Sequence, residues 1–362
     1  MIVVVGAGIA GLSLAWELTR AGADVTVLEA NAIAAGASGA ATSYLEPRLG
    51  TTAMRKFEWR SFALWPQWAG ELQQASGIDL DFQQRGQLRL GLKADLAKYE
   101  KDIARREAEG WKLDRISVRE ALELEPTLSS EIEAAAFLPD ICWVDGQKVC
   151  AALAHAIKDA GGKVLFPWKV KSLARENENA SDDITLKSDS GEELKCKQVV
   201  FATGMGGNEI EGLPRDLGVC RPVRGVNLVL DMGSWRRPIV HHIKHHRGNA
   251  CPRGDNKLFV GTTYEPGQTD VSVGENVIEM LYANIEPVVP DIRKLRLAGI
   301  MSGVRSKIGD GKLHAGCSVE RQNIFYSLSH SGAGFLRAPL VAQEMARFVM
   351  TGGEGNLFPS AS

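Results

Sequence analysis

Three glycines at the spacing of a phosphate cradle open the chain: Gly6, Gly8 and Gly11, in Gly6-Ala7-Gly8-Ile9-Ala10-Gly11. A pyrophosphate needs backbone that approaches closely and N–H groups aimed at it, and each glycine has a task. Gly6 permits the tight turn, Gly8 admits the phosphates, and Gly11 lets the following helix pack on its strand. The first N–H groups of that helix, around Ile9 and Ala10, add the positive end of its dipole. Roughly 20 residues downstream, Glu29 and Ala30 end a second strand, where a carboxylate accepts hydrogen bonds from ribose hydroxyls.

The elements that must position these groups read in order. Ile2–Val5 is β-branched and apolar, as a buried parallel strand is; 12–21 is helical in pattern, Gly22 stops it, and 23–29 is the second strand. Strand, turn, helix, strand and acid together make a dinucleotide fingerprint. NAD and FAD both suit it. Its place at the first residues and the small-residue run Ala35–Ser43 favour FAD, because backbone at Ser38, Gly39, Ala40, Ala41 and Thr42 would crowd an isoalloxazine ring and the pyrophosphate.

The 362 residues are 44% apolar and 24% charged with net charge -2. That excludes a disordered chain and a small disulfide scaffold, and it speaks against global nucleic-acid or anionic-membrane binding. Six scattered cysteines form no C-x-x-C pair, so they read as reduced, mostly buried thiols of a cytoplasmic protein. No apolar run reaches about 18 residues, so no membrane span is expected. The N-terminus runs straight into the glycine motif, leaving no room for an export signal.

Further signatures follow the fingerprint in a fixed order: Ala202-Thr203-Gly204 ending the strand from Gln198, Gly303-Val304-Arg305, and Ser329-His330-Ser331-Gly332-Ala333-Gly334 before a terminal helix. Pro222-Val223-Arg224-Gly225 and Pro252-Arg253 stand between them. Taken together, the chain resembles the D-amino-acid oxidase superfamily of flavoproteins, most of all its glycine oxidase and sarcosine oxidase branch, over nearly its whole length. The resemblance implies an α/β fold: an FAD-binding Rossmann-like (two-dinucleotide-binding) domain from 1–45, 140–217 and 300–362, with an interleaved α+β substrate domain from 46–139 and 218–299 built on an antiparallel sheet. It also implies a helix over 146–160 and an apolar residue, Val170, whose backbone meets adenine.

The resemblance assigns Arg305 to the substrate carboxylate, which a planar guanidinium grips bidentately. It sets His330 at the flavin pyrimidine edge as a positive or donor group, and Ser331, Gly332, Ala333, Gly334 and Phe335 at the helix start beside the flavin. Tyr44 and Asn249 occupy substrate-facing positions where other residues are usual; Asn249 replaces a tyrosine. Gly303 stands where sarcosine oxidases carry a flavin-linking cysteine, so the FAD is expected to be non-covalent. The implied reaction is oxidation of the C–N bond of a small amine or amino acid, by hydride transfer to flavin N5, giving an imine that hydrolyses. The electrons pass to O2 or another acceptor, and a homo-oligomer is left open. Rival readings are an oxidase of a glycine-like group on a modified tRNA nucleoside, and a flavin-holding subunit without free-substrate turnover.

Other stretches are read more simply. His241, His242, His245 and His246 admit a metal site, a basic rim or a solvated segment; Lys244 and Arg247 among them would repel a cation, so no metal is expected. Trp59, Trp65 and Trp68 form a packing face with Phe57 and Phe62. Residues 93–119 read as an exposed charged helix, Arg175–Ser190 as a polar hairpin loop, and Gly352–Ser362 as a frayed tail.

Overall fold

In the computed structural model, which describes residues 1–174 and 183–358, the dinucleotide fingerprint builds the middle of a six-stranded sheet. The spatial order is His314–Cys317, Ile324–Leu328, Gln198–Phe201, Ile2–Val5, Val25–Leu28, Lys163–Leu165. All neighbours are parallel except the first pair. Ile2–Val5 is buried at every position because both faces are covered. Ile2 and Val4 join the core under the helices Ile9–Arg20, Ala53–Ser76, Gly146–Asp159 and Gly334–Met350, while Val3 and Val5 face a core shared with a three-stranded sheet. From Ile2–Val5 the chain pairs with Val25–Leu28 on one side and Gln198–Phe201 on the other. That order reversal leaves a crevice at the strands' carboxyl ends, the usual ligand position in open α/β sheets.

The second layer is a nine-stranded sheet. Its long pair, Arg221–Asp231 with Arg296–Lys307, is antiparallel and sets Gly225 opposite Gly303 and Val223 opposite Arg305. The remaining pairs are also antiparallel, except that His242–Lys244 runs parallel to Gln87–Leu92. Helix Glu275–Ile285 covers this sheet through Leu281, Tyr282 and Ile285, which pack on Leu228 and Val260. No helix among the described residues is long and apolar enough to cross a membrane, and all six cysteines are free and buried.

Several local expectations change. The charged stretch 93–119 is one short 3-10 turn, helix Leu96–Ala108, strand Asp114–Ile116 and the start of helix Val118–Leu124, because Gly110 with φ +75 follows the first helix and Arg115 then pairs in the sheet. Ile184–Ser188 is a buried strand, not loop, since Ile184 and Leu186 fill the core beneath the six-stranded sheet; the tight turn lies at 189–192, and Arg175–Asp182 falls outside the described residues. The tail is held as far as 358: Cys317 N–H donates to Gly355 O at 2.8 Å and Leu357 N–H to Ala315 O at 2.9 Å. The tryptophans pack as expected. Trp65 Nε1 donates to Phe335 O at 3.1 Å, Trp68 Nε1 to Glu17 Oε1 at 3.1 Å, and Trp59 stacks edge-on against Trp111.

Candidate active site

A cavity of about 670 Å³ runs from the glycine turn to the face of the nine-stranded sheet. At its nucleotide end the turn is built as its glycines require. Gly6 has φ +112, and a Cβ there would stand 2.5 Å from Ala202 O. Gly11 does not line the cavity: its missing Cβ would meet Gly6 O at 2.0 Å, so it allows the close packing of helix on turn. Gly8 caps the helix without a side chain, and a Cβ there would meet only Ser38 Oγ, at 3.1 Å. Ile9 and Ala10 line the cavity beside it, with Ile9 N–H donating to Ser38 Oγ at 3.0 Å.

Glu29 is held ready at the second strand end, beside Ala30. One oxygen accepts from Ala7 N–H at 2.8 Å and the other from Asn31 N–H at 2.9 Å. Ala40, Ala41 and Thr42 line the wall, whereas Gly39 turns away, its Cβ position 2.4 Å from Ala34 O. Val170, Ala202, Thr203 and Gly204 complete this end; Thr203 Oγ1 is buried with no partner in the protein, as is Ser302 Oγ further along. A side-chain-free helix start, an oriented carboxylate and unpartnered hydroxyls on one long cleft fit an adenine dinucleotide.

The other end is chemically different. Arg305 is half-buried on strand Arg296–Lys307, donating to Thr263 O at 3.3 Å and Thr262 Oγ1 at 3.2 Å. Burial pulls its pKa below the usual arginine value, with Tyr44 and Tyr264 acting the other way. Among the described residues no carboxylate oxygen comes within 4.0 Å of it. Arg48, also on the cavity, is by contrast bound to Glu58 at 2.5 Å. The guanidinium lies flat over Gly225, where a Cβ would be 2.2 Å from Nη2. Gly303 likewise faces Ala40, where a Cβ would come within 2.7 Å.

His330, Ser331, Gly332, Ala333, Gly334 and Phe335 all border the cavity at the start of the last helix. His330 is not a cation. Burial, then the Arg337 guanidinium, pushes its pKa down to about 3, and Nε2 bonds Ser327 Oγ at 3.0 Å while Nδ1 has no protein partner. Of the two expectations there, a positive or a donor group, burial removes the first and leaves a neutral imidazole.

Tyr44 borders the cavity too, its ring 4.7 Å from that of His242. Asn249 does not reach the cavity; it is buried in its strand and donates to Gly261 O at 2.7 Å. A polar chain leads away from the wall: Glu46, which lines the cavity, accepts from Gln87 Nε2 at 3.1 Å, which also donates to His242 Nδ1 at 2.9 Å. Glu46 binds Lys244 at 2.8 Å, Arg106 at 2.9 Å and Arg89, and these cations hold its pKa well below the usual carboxylate range despite burial. The four histidines diverge: His241 meets Glu125 at 2.8 Å, His246 meets Lys98 at 3.0 Å, and His245 meets Asn284 O. No group of three His, Cys, Asp or Glu side chains suited to a metal occurs among the described residues.

The sequence signal missed Glu46, Gly225, Tyr264 and Ser302. Strand register brings Gly225 and Ser302 to the cavity, and Tyr264 reaches it from the connection after strand Lys257–Gly261; period-two alternation from Gly303 to Arg305 is the one hint the chain itself carries.

Residues 1–348 match the family model described as FAD dependent oxidoreductase. The chain belongs to that family. This oxidoreductase is 26% identical over 358 residues to a glycine oxidase of Bacillus licheniformis, covering 96% of this chain and 92% of that protein. It is 27% identical over 363 residues to a glycine oxidase of Geobacillus kaustophilus, with the same coverage of each. Among solved structures, the glycine oxidase from Bacillus cereus ATCC 14579 superposes with a TM-score of 0.89 over 98% of this chain and 95% of that one, at 21% identity, a likeness of fold. The oxidoreductase is thus an FAD-dependent enzyme of the glycine oxidase-like branch.

Proposed function

We propose that the enzyme oxidises a small amino acid whose carboxylate is held by Arg305. The supporting observation is a half-buried guanidinium on the cavity, bonded only to two threonine oxygens and with no acid within reach among the described residues. Burying a cation without a counterion is unfavourable, so such a site favours an anionic ligand. FAD, when bound, supplies the hydride acceptor for the substrate Cα–H bond. It would be held by the Gly6–Ala10 turn, Glu29, Ser38, Ala40–Thr42 and Val170, non-covalently, with Gly303 where a linking cysteine would stand.

The protein's own part is placement. Arg305 fixes the carboxylate, and Tyr44 walls the substrate. Neutral His330 and the N–H groups around Ala333–Phe335 present donors and a helix dipole without adding charge. The acids on the cavity, Glu29 and Glu46, are both tied to N–H or cationic partners. The substrate therefore enters as the free amine, with no side chain in the role of base.

The test is anaerobic bleaching of bound FAD by glycine, sarcosine, D- and L-amino acids, each beside its decarboxylated amine. Wild-type protein is expected to be bleached by an acid at least tenfold more efficiently than by its amine, and Arg305→Met to abolish that preference while retaining FAD. A preference that survives Arg305→Met overturns the reading. Admitting air and assaying hydrogen peroxide then separates O2 from another acceptor.

A further inference from the structure

A second cation without a carboxylate stands beyond Arg305. Lys307 is two positions along the same strand, so both side chains leave one face of the sheet, their Cα atoms about 7 Å apart. Lys307 Nζ donates to the Tyr264 hydroxyl at 3.0 Å and lies 5.7 Å from the Tyr264 ring centroid. Tyr264, 59% exposed, borders the cavity, as does exposed Val271; Lys307 itself stands off the lining and touches it through the Tyr264 hydroxyl.

Several cations around the site are matched to acids and these two are not; Arg221, opposite Lys307 in register, is held by Gly309 O instead. Arg48 is on Glu58, Lys169 on Glu209, Arg224 on Glu265, and Lys312 on Asp310, the acid closest to Lys307 in sequence. Among the described residues no carboxylate oxygen lies within 4.0 Å of Lys307. The lysine is also guided. Its stem passes over Gly311, at φ +80, where a Cβ would stand 2.2 Å from Lys307 Cε. A neutral phenol is a weak partner for a half-buried ammonium, and a carboxylate would form the stronger, charge-assisted bond.

We propose that Arg305 and Lys307 form a two-carboxylate site, so that the substrate is an amino acid or secondary amine bearing two acidic groups, the α-carboxylate on Arg305 and the second on Lys307 in place of the Tyr264 hydroxyl. This rests on the reading of Arg305 as the carboxylate anchor. Glycine, with one carboxylate, leaves Lys307 on Tyr264 and is the poorer ligand.

The experiment is calorimetric titration of the FAD-loaded protein with succinate and with butyrate, acids of equal chain length that carry no amine to oxidise. Wild-type protein binds succinate at least about tenfold tighter. Lys307→Met, which keeps the stem, brings succinate to the butyrate level and leaves butyrate unchanged, whereas Lys307→Arg keeps the preference. Tyr264→Phe leaves succinate binding equal or tighter. Equal affinity of the two acids for wild type, a Lys307→Met loss shared by both, or a tenfold succinate loss in Tyr264→Phe overturns the proposal. Failure of the underlying reading shows differently: butyrate would then be indifferent to Arg305→Met. FAD absorbance per chain shows that each variant has folded.

Discussion

Replacing Gly225 by alanine isolates the placement of Arg305 from its charge. The new Cβ would stand 2.2, 2.5 and 2.6 Å from Nη2, Cζ and Nη1 of Arg305, where ordinary contact begins at 3.4 Å, so the guanidinium must retreat by about 1 Å. The fold tolerates this well, because the contact is the far end of a flexible side chain and the φ of Gly225 is not positive. The site tolerates it poorly, since a fork displaced by about 1 Å grips only one carboxylate oxygen. A charge-assisted hydrogen bond contributes about 1.5–3 kcal/mol, which predicts roughly a 10- to 100-fold loss of affinity for a carboxylate ligand. The assay is stopped-flow anaerobic bleaching with an acid and its decarboxylated amine. Gly225→Ala should lower the efficiency for the acid by that factor, leave the amine within about twofold, and keep the full complement of FAD. An unaffected acid would refute the anchoring role of Arg305. Equal losses for both substrates, with FAD released, would instead make Gly225 a cofactor residue.

The remaining predictions concern cofactor, pH and packing. Gly8→Val should fold but purify colourless, because a side chain there meets only Ser38 Oγ in the protein yet fills the space of the pyrophosphate; normal FAD content would contradict it. Acid precipitation of wild-type protein should release all flavin as FAD, and flavin left in the pellet would show a covalent link. Burial pushes His242 and His330 down to about 3, so the unfolded chain binds more protons between about pH 3 and 6.5 and stability should rise with pH across that window. His242→Gln should flatten that slope in urea titrations, and an unchanged slope would refute the assignment. Glu58→Ala leaves the Arg337 guanidinium, 2% exposed, without its partner at 2.6 Å and should destabilise by about 3–5 kcal/mol, read as a fall in urea midpoint.

Much of this molecule is written locally. The turn at Gly6–Gly11 requires glycine for steric reasons that hold in any context, and the apolar run before it and the acid after it fall at the ends of adjacent strands by period alone. The glycine-turn end of the candidate site was therefore legible, with Glu29 and Ser38 both placed on the cavity. The departure within it is Gly39. Like Gly11, whose packing role was expected, it is a glycine that clears backbone, Ala34 O in its case, and a motif does not separate a glycine that clears a ligand from one that clears its own chain.

The Arg305 end of the cavity was decided by tertiary structure. Arg305 reaches the cavity as a usable fork only because the register of two distant strands sets Gly225 beneath it and Thr262 and Thr263 beside it. Asn249, three residues before Pro252 and a candidate by position, is consumed by the Gly261 backbone. His330 loses its charge to burial and to Arg337, a residue one helical turn pair away whose partner, Glu58, comes from another helix. Sequence determines which groups are available and the short-range geometry that bonded neighbours impose. Which of them face one another, and which stay charged, depends on desolvation and on partners hundreds of residues away, and those exist only once the sheets have packed.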